Sequence, residues 1–381
     1  MRTALENSRV LTGLEFASDL TVLLNSGRIE ALVAPDDARA REARRIDLEG
    51  AYLVPGFIDV QVNGGGGVLF NDDPSPAAIA AIGAAHRGFG TTGFLPTLIS
   101  DDLDTIGEAI AAVRSAIDND TPGVLGIHIE GPFLNRTRRG VHDPKHLRLL
   151  DESQISLLSS LKRGCTLLTL APEMTTGDMI SKLAAQGILL SAGHSDANYA
   201  ETVDAIRHGV RGFTHLFNAM ARIEARAPGI IGAALYDADT WCGIIVDGHH
   251  VDPVMLKLAM RCKRHDRFML VTDAMPPVGS EKKTFQLQGK TITVIDGLPR
   301  DANGTLAGSA LDMATAVRNA VTMLDLKLPE AVRMASEYPA QFLGLDAELG
   351  RIAAGYRANL AVLDDSLAVT RTWIDGKEAA G

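Results

Sequence analysis

Cysteine is scarce in this chain. Only three occur in 381 residues, Cys165, Cys242 and Cys262, with no C-x-x-C spacing. So odd and sparse a set excludes a disulfide framework and points to a reducing compartment. Long apolar runs are also missing. The most apolar stretch, 77–85, is far shorter than the roughly 20 residues a spanning helix needs. The opening MRTALENSRV carries Glu6 and no apolar core of a secretory signal, so a cytoplasmic protein is expected. There is no basic block: 37 Lys+Arg stand against 47 Asp+Glu, a formal net charge of −10. That balance argues against nucleic acid or an anionic membrane as the main partner, and requires a local cationic pocket for any anionic substrate. The glycines at 64–67 do not complete G-x-G-x-x-G and there is no Walker loop, which leaves nucleotide binding weakly supported. Internal repeats and low-complexity segments are absent too.

What is present is ordinary globular composition, 46% hydrophobic and 22% charged, in a chain long enough for two or three domains or one large barrel with an addition. Residues 1–54 read as short strands and turns around Asn25-Ser26-Gly27. The stretch from 358 to the turn Asp375-Gly376 looks alike. Both ends are therefore expected to pair into one small β-sandwich domain, 1–54 with 355–381. Between them, 55–354 alternates short apolar runs with amphipathic helices. Eight buried strands are expected at 54–61, 92–98, 124–130, 166–173, 188–194, 212–215, 243–247 and 268–273. Helices at 76–87, 103–117, 179–186, 198–208 and 253–264 fill the gaps. Eight such units fit an α/β fold of the (β/α)8 TIM-barrel type better than a doubly wound sheet.

Active sites of such barrels lie at the C-terminal ends of the strands. Here those ends carry Asp59, Gln61 and Asn63; His128 and Glu130; Glu173; His194; His215; Asp247, His249 and His250; and Asp273. Glu130, His194 and His215 would converge from three strands, and two imidazoles with one carboxylate make a catalytic zinc set with a position left for water. The competing reading makes each a hydrogen-bonded strand end. Asp273 is placed to take a proton from a water, or is a helix N-cap. His142, in a loop after a basic stretch, could polarise a carbonyl or simply lie at the surface. Arg226 and His250 are the best candidates for an anion, with a solvated arginine as the bland alternative for the first.

Ten segments together resemble the N-acetylglucosamine-6-phosphate deacetylases of the amidohydrolase superfamily. They are VPGFIDVQVNGGGG (54–67), GIHIEGPF (126–133), RGVHDP (139–144), TLAPE (169–173), SAGHS (191–195), THLFNAM (214–220), Arg-x-Pro-Gly (226–229), DGHHVD (247–252), LVTDAM (270–275) and NGTLAGSAL (303–311). The resemblance spans the barrel in order and implies the same fold, a β-sandwich from both termini included. It implies Glu130, His194 and His215 as ligands of one divalent metal, zinc, with Asp273 as base and then acid and His142 on the acetyl carbonyl. It further implies Val141, Asn218, Ala219, Leu306, Ala307 and Gly308 around the sugar. Arg226 and His250 would bind phosphate across the interface of a homodimer. Many superfamily members hold a second metal through H-x-H after the first strand. Here that position reads Gln61-x-Asn63, and amides are poor ligands for a borderline ion, so one metal is expected. The neighbouring His249 should point away if His250 points in. The expected activity is hydrolysis of N-acetylglucosamine 6-phosphate to glucosamine 6-phosphate and acetate, in amino-sugar metabolism. N-acetylgalactosamine 6-phosphate is the first alternative, and a different amidohydrolase or a non-catalytic barrel are the others.

Overall fold

The computed structural model describes residues 2–379. Eight parallel strands lie side by side in chain order: β1 Phe57–Val62, β2 Thr91–Ile99, β3 Gly126–Glu130, β4 Cys165–Leu170, β5 Leu189–Ala192, β6 Val210–Phe213, β7 Trp241–Ile244 and β8 Phe268–Leu270. Beyond β8 the chain returns to β1. Ala274 bridges Val62 in parallel, and the Asp273 N–H donates to the Gln61 carbonyl at 3.0 Å, which closes the sheet. Every residue of β1, β2 and β3 is buried, as strands covered on both faces require, and this is why they read as mostly apolar runs in which Asp59, Gln61, His128 and Glu130 stand out.

The helices start where the sequence supplies caps. Ser75 accepts from the Ala78 N–H, Asp102 from Thr105, and Asn198 forms a reciprocal capping box with Glu201. All five expected helices are present to within two residues. Among the described residues, no helix is long and apolar enough to cross a membrane.

Both chain ends build one six-stranded sheet, in which Leu360–Leu363 pairs antiparallel with Tyr52–Pro55. A four-stranded sheet of Thr3–Glu6, Thr21–Asn25, Arg28–Val33 and Arg44–Asp47 faces it, with Leu5, Val22, Leu53, Leu360 and Trp373 buried in a shared core. The pairing in these sheets is not wholly antiparallel. Thr3–Glu6 runs parallel to Arg44–Asp47, and Arg9–Thr12 parallel to Tyr52–Pro55, because the intervening chain crosses over instead of turning back.

One element went unanticipated. Between β8 and the helix Met313–Leu324, a three-stranded antiparallel meander is formed by Thr284–Leu287, Lys290–Ile295 and Leu298–Arg300. Its signals, alternating apolar residues and the turns Gln288-Gly289 and Asp296-Gly297, are those of any hairpin.

Candidate active site

Just beyond the strand ends the backbone departs from extended geometry. His194 follows β5 with φ +47°, His215 follows β6 with φ +33°, and Asp273 follows β8 with φ +53°. Non-glycine residues pay roughly 1–3 kcal/mol for this left-handed region and concentrate where function demands it. At each position the turn directs a side chain into the mouth of the barrel.

There Glu130 Oε1 lies 3.0 Å from His194 Nε2 and 2.9 Å from His215 Nε2, and the two nitrogens are 3.0 Å apart. All three side chains are buried. Burial alone would raise the Glu130 carboxyl, but the two imidazoles carry it well below the usual carboxylate range. His194 Nδ1 lies 2.9 Å from the Arg138 carbonyl, an acceptor only, so Nδ1 carries the proton and Nε2 presents its lone pair inward. Two imidazole nitrogens crowded on one carboxylate oxygen need shared positive charge between them. A divalent cation would supply it, and the donor set fits one.

Asp273 borders the same space. Its Oδ1 accepts from Asn63 Nδ2 at 2.7 Å and Gln61 Nε2 at 3.1 Å, and Gln61 Nε2 also donates to Glu130 Oε2 at 3.1 Å. Gln61 and Asn63 therefore act as donors that orient two carboxylates, leaving Asp273 Oδ2 for the cavity. Burial, and then the nearby Glu130 charge, push the Asp273 carboxyl up to about 6.

His142 closes the site from its loop. Ser100 donates its backbone N–H to Nδ1 at 3.2 Å, with its hydroxyl 2.7 Å away. Nδ1 is thus an acceptor and the ring proton sits on Nε2. Burial, followed by the neighbouring His194, depresses its pKa to about 3, so the ring is a neutral donor.

These groups share a cavity of about 250 Å³, whose wall also includes Val141, Asn218, Ala219, His250, Leu306 and Gly308. Ala307 differs from its expected place: it is fully buried in a small apolar cluster and its N–H is taken by the Pro299 carbonyl at 3.1 Å. His250, expected across a dimer interface, lines the cavity of its own chain. Its Nδ1 is 2.6 Å from Asp247 Oδ2, which turns Nε2 outward. His249 is exposed, as anticipated, although a turn and not strand alternation separates it from His250. Arg226 is exposed on a separate groove with Arg138, Asp196 and Arg222, so one chain does not bring Arg226 and His250 together.

A family model of the amidohydrolase family matches residues 52–379. The chain belongs to that family. It is 46% identical over 332 residues to N-acetylgalactosamine-6-phosphate deacetylase of Shewanella sp., covering 87% of this chain and 84% of the relative. It is 36% identical to N-acetylglucosamine-6-phosphate deacetylase of Haemophilus influenzae, over 99% of both chains. The crystal structure of N-acetylglucosamine-6-phosphate deacetylase from Pasteurella multocida matches with a TM-score of 0.96 at 35% identity, covering 100% of each chain.

Within this amidohydrolase, the remaining polar strand ends are structural. Asp59 is buried and binds the Thr272 hydroxyl and the Gln61 N–H, bracing β1 against the chain after β8. His128 lies below the mouth, joined to Thr169 at 2.7 Å, and that hydroxyl continues through Thr214 to Ser191. Glu173 ties Asn135, Ser195 and Asp196 together. Ser100, Asp247 and Thr305 are the site residues that sequence reasoning did not single out for a role. Ser100, at the end of β2, had the same position-based signal as the others.

Proposed function

We propose that this amidohydrolase removes the N-acetyl group of an N-acetylhexosamine 6-phosphate, N-acetylglucosamine 6-phosphate first, giving the free amine and acetate. One observation carries the reading. The free oxygen of Asp273, the Nε2–H of His142 and the Glu130/His194/His215 donors all face one small cavity. The names borne by the full-length relative and by the structural neighbour support the gluco sugar. The galacto epimer is the second reading, favoured by the 46% identical Shewanella relative.

A divalent cation held by Glu130, His194 and His215, zinc by the character of that donor set, would supply Lewis-acid polarisation and acidify a water toward a pKa of about 7. Asp273 takes the proton of the attacking water at Oδ2 while Asn63 and Gln61 hold Oδ1. His142 donates Nε2–H to the acetyl oxygen as negative charge gathers there, a donor preorganised by Ser100. Asp273 then passes its proton to the sugar nitrogen, because the amine leaves neutral. Asn218, Ala219, Val141, Leu306 and Gly308 enclose the sugar. The three free cysteines, with Cys262 exposed, fit a reducing cytoplasm.

Phosphate recognition needs more than one chain. Among the described residues, no Lys or Arg lines the cavity, which leaves a dianion unmatched except by His250. Arg226 stands exposed on the groove beside Arg138, whose carbonyl fixes His194. We place Arg226 in the neighbouring site of a homodimer. Its replacement by Ala is expected to raise KM for the phosphorylated sugar by about 10- to 100-fold, the weight of a charge-assisted bond. Mixing refolded Arg226→Ala and Asp273→Asn chains should restore activity through hybrid dimers. No restoration would place Arg226 in its own chain's site or outside recognition altogether.

The reading as a whole is tested by acetate release from both 6-phosphate epimers and from unphosphorylated N-acetylglucosamine. Turnover confined to phosphorylated sugars supports it, and the faster epimer identifies the substrate. Equal turnover of the unphosphorylated sugar would remove the phosphate argument.

A further inference from the structure

The meander between β8 and the helix Met313–Leu324 does not contribute to the barrel core, yet it touches the site in two ways. Its second and third strands lead into the loop carrying Thr305, Leu306 and Gly308 over the cavity, with Arg300 bridged to Leu306. Its first hairpin ends in Gln288-Gly289, both left-handed with φ +48° and +78°. That pair is the signature of a type I′ turn, whose first position favours Asn, Asp or Gly. Gln is a poor choice there on backbone grounds.

The side chain explains the choice. Gln288 Nε2 donates to the Ser100 carbonyl at 2.7 Å, and its Oε1 accepts the Asp143 N–H at 2.6 Å. Ser100 is the residue that orients the His142 ring, and Asp143 is the next residue after His142. One amide therefore clamps both sides of the His142 ring support, using its donor and its acceptor together. Beneath it, Leu287 and Ile292 pack with Ile99, Val141 and Met275, which line the cavity. This seats the hairpin on the same wall. A shorter Asn would suit the turn better but stop one methylene short of the loop.

The geometry points to Gln288 as a positioning residue for deacetylation, acting through His142: its amide latches the meander onto the His142 loop and holds the Nε2–H in line with the acetyl oxygen. This rests on the role proposed above for His142. Within residues 139–146 the remaining backbone bonds are local, such as the His142 N–H to the Arg139 carbonyl at 3.0 Å. Without the latch, this segment rests on the His142–Ser100 bonds and the packing of Val141, with the Arg138 carbonyl on His194 and the Arg138–Asp196 ion pair anchoring the chain just before it.

Gln288→Asn separates the latch from the fold of the hairpin. The variant should melt no lower than the parent and keep its metal, because the turn is eased. Its kcat should fall about tenfold with KM nearly unchanged, as for an interaction strengthened in the transition state. Amide exchange in a peptide spanning 139–146 should speed up while the barrel strands stay protected. In a His142→Ala background the same change should cost less than about twofold, since nothing is left to position. Gln288→Ala should repeat the loss. An equal loss in both backgrounds, or no loss with unchanged exchange, overturns the latch while leaving the role of His142 intact. Full activity of His142→Ala alone overturns that role, and the latch with it.

Discussion

Asp273→Asn is expected to cut kcat by on the order of 10³–10⁴-fold while leaving fold and metal content unchanged. The geometry makes this substitution unusually clean. Oδ1 of Asp273 accepts from Asn63 and Gln61, and an asparagine keeps an oxygen there with both bonds intact. Only the atom facing the cavity changes, from an oxygen that can take a proton to an amide nitrogen that cannot. The same carboxylate serves as base toward water and acid toward the leaving amine, so both halves of the reaction fail together. Steady-state acetate release, with metal content by elemental analysis, checks the outcome. The pH profile of the parent adds a second test. Burial and Glu130 hold Asp273 up at about 6 in the protein alone, and a bound cation acts against that shift. The base form is lost as pH falls, so the acid limb of kcat/KM is expected at or below about 6. Activity retained within tenfold in Asp273→Asn, or an acid limb well above neutrality, would assign the proton transfer to another group.

Removing the charge of Glu130 is the second large effect. In Glu130→Gln, the two imidazoles would face a neutral oxygen across about 3 Å instead of a carboxylate. Losing a group that only orients a metal ligand already costs about 10- to 100-fold in metal affinity. Loss of the only anionic donor in the cluster should cost more than about 100-fold and abolish activity at ordinary metal concentrations. The parent should bind one divalent ion per chain, lose activity to a chelator and recover it with one equivalent of zinc. Gln61 and Asn63 would account for that stoichiometry, since their amide N–H groups point at Glu130 and Asp273 and disfavour a second cation. Two tightly held ions per chain would overturn that account. A chelator-treated protein with no metal and full activity would overturn the whole site.

Much of this organisation was legible in the chain. The eight barrel strands could be read because parallel strands covered on both sides are mostly apolar, so that polar residues toward their C-terminal ends stand out. The same rule singled out Glu130, His194, His215 and Asp273. It also singled out Asp59, His128 and Glu173, which proved to brace strands and loops. A polar residue at a strand end says that water or a partner is near, not which. The inserted meander was missed because its short alternating strands carry no link to the barrel in sequence. Ala307 looked like its neighbours Leu306 and Gly308, but the loop turns its methyl inward to Leu287 and Ile292.

By itself, then, the sequence determined the barrel, the sandwich of both ends and the chemical types gathered at the mouth, because these follow from local hydrophobic period and from what burial permits. Tertiary structure decided the roles. Glu130 meets His194 and His215 across 64 and 85 residues. Gln61 reaches Asp273 across 212, and Gln288 reaches Ser100 across 188. Which nitrogen of His142 or His194 carries a proton, which oxygen of Asp273 is free, and which chain's Arg226 could face a phosphate all depend on such pairings. A hydrogen bond depends on distance and direction between atoms, and only the closed barrel sets those for residues so far apart along the chain.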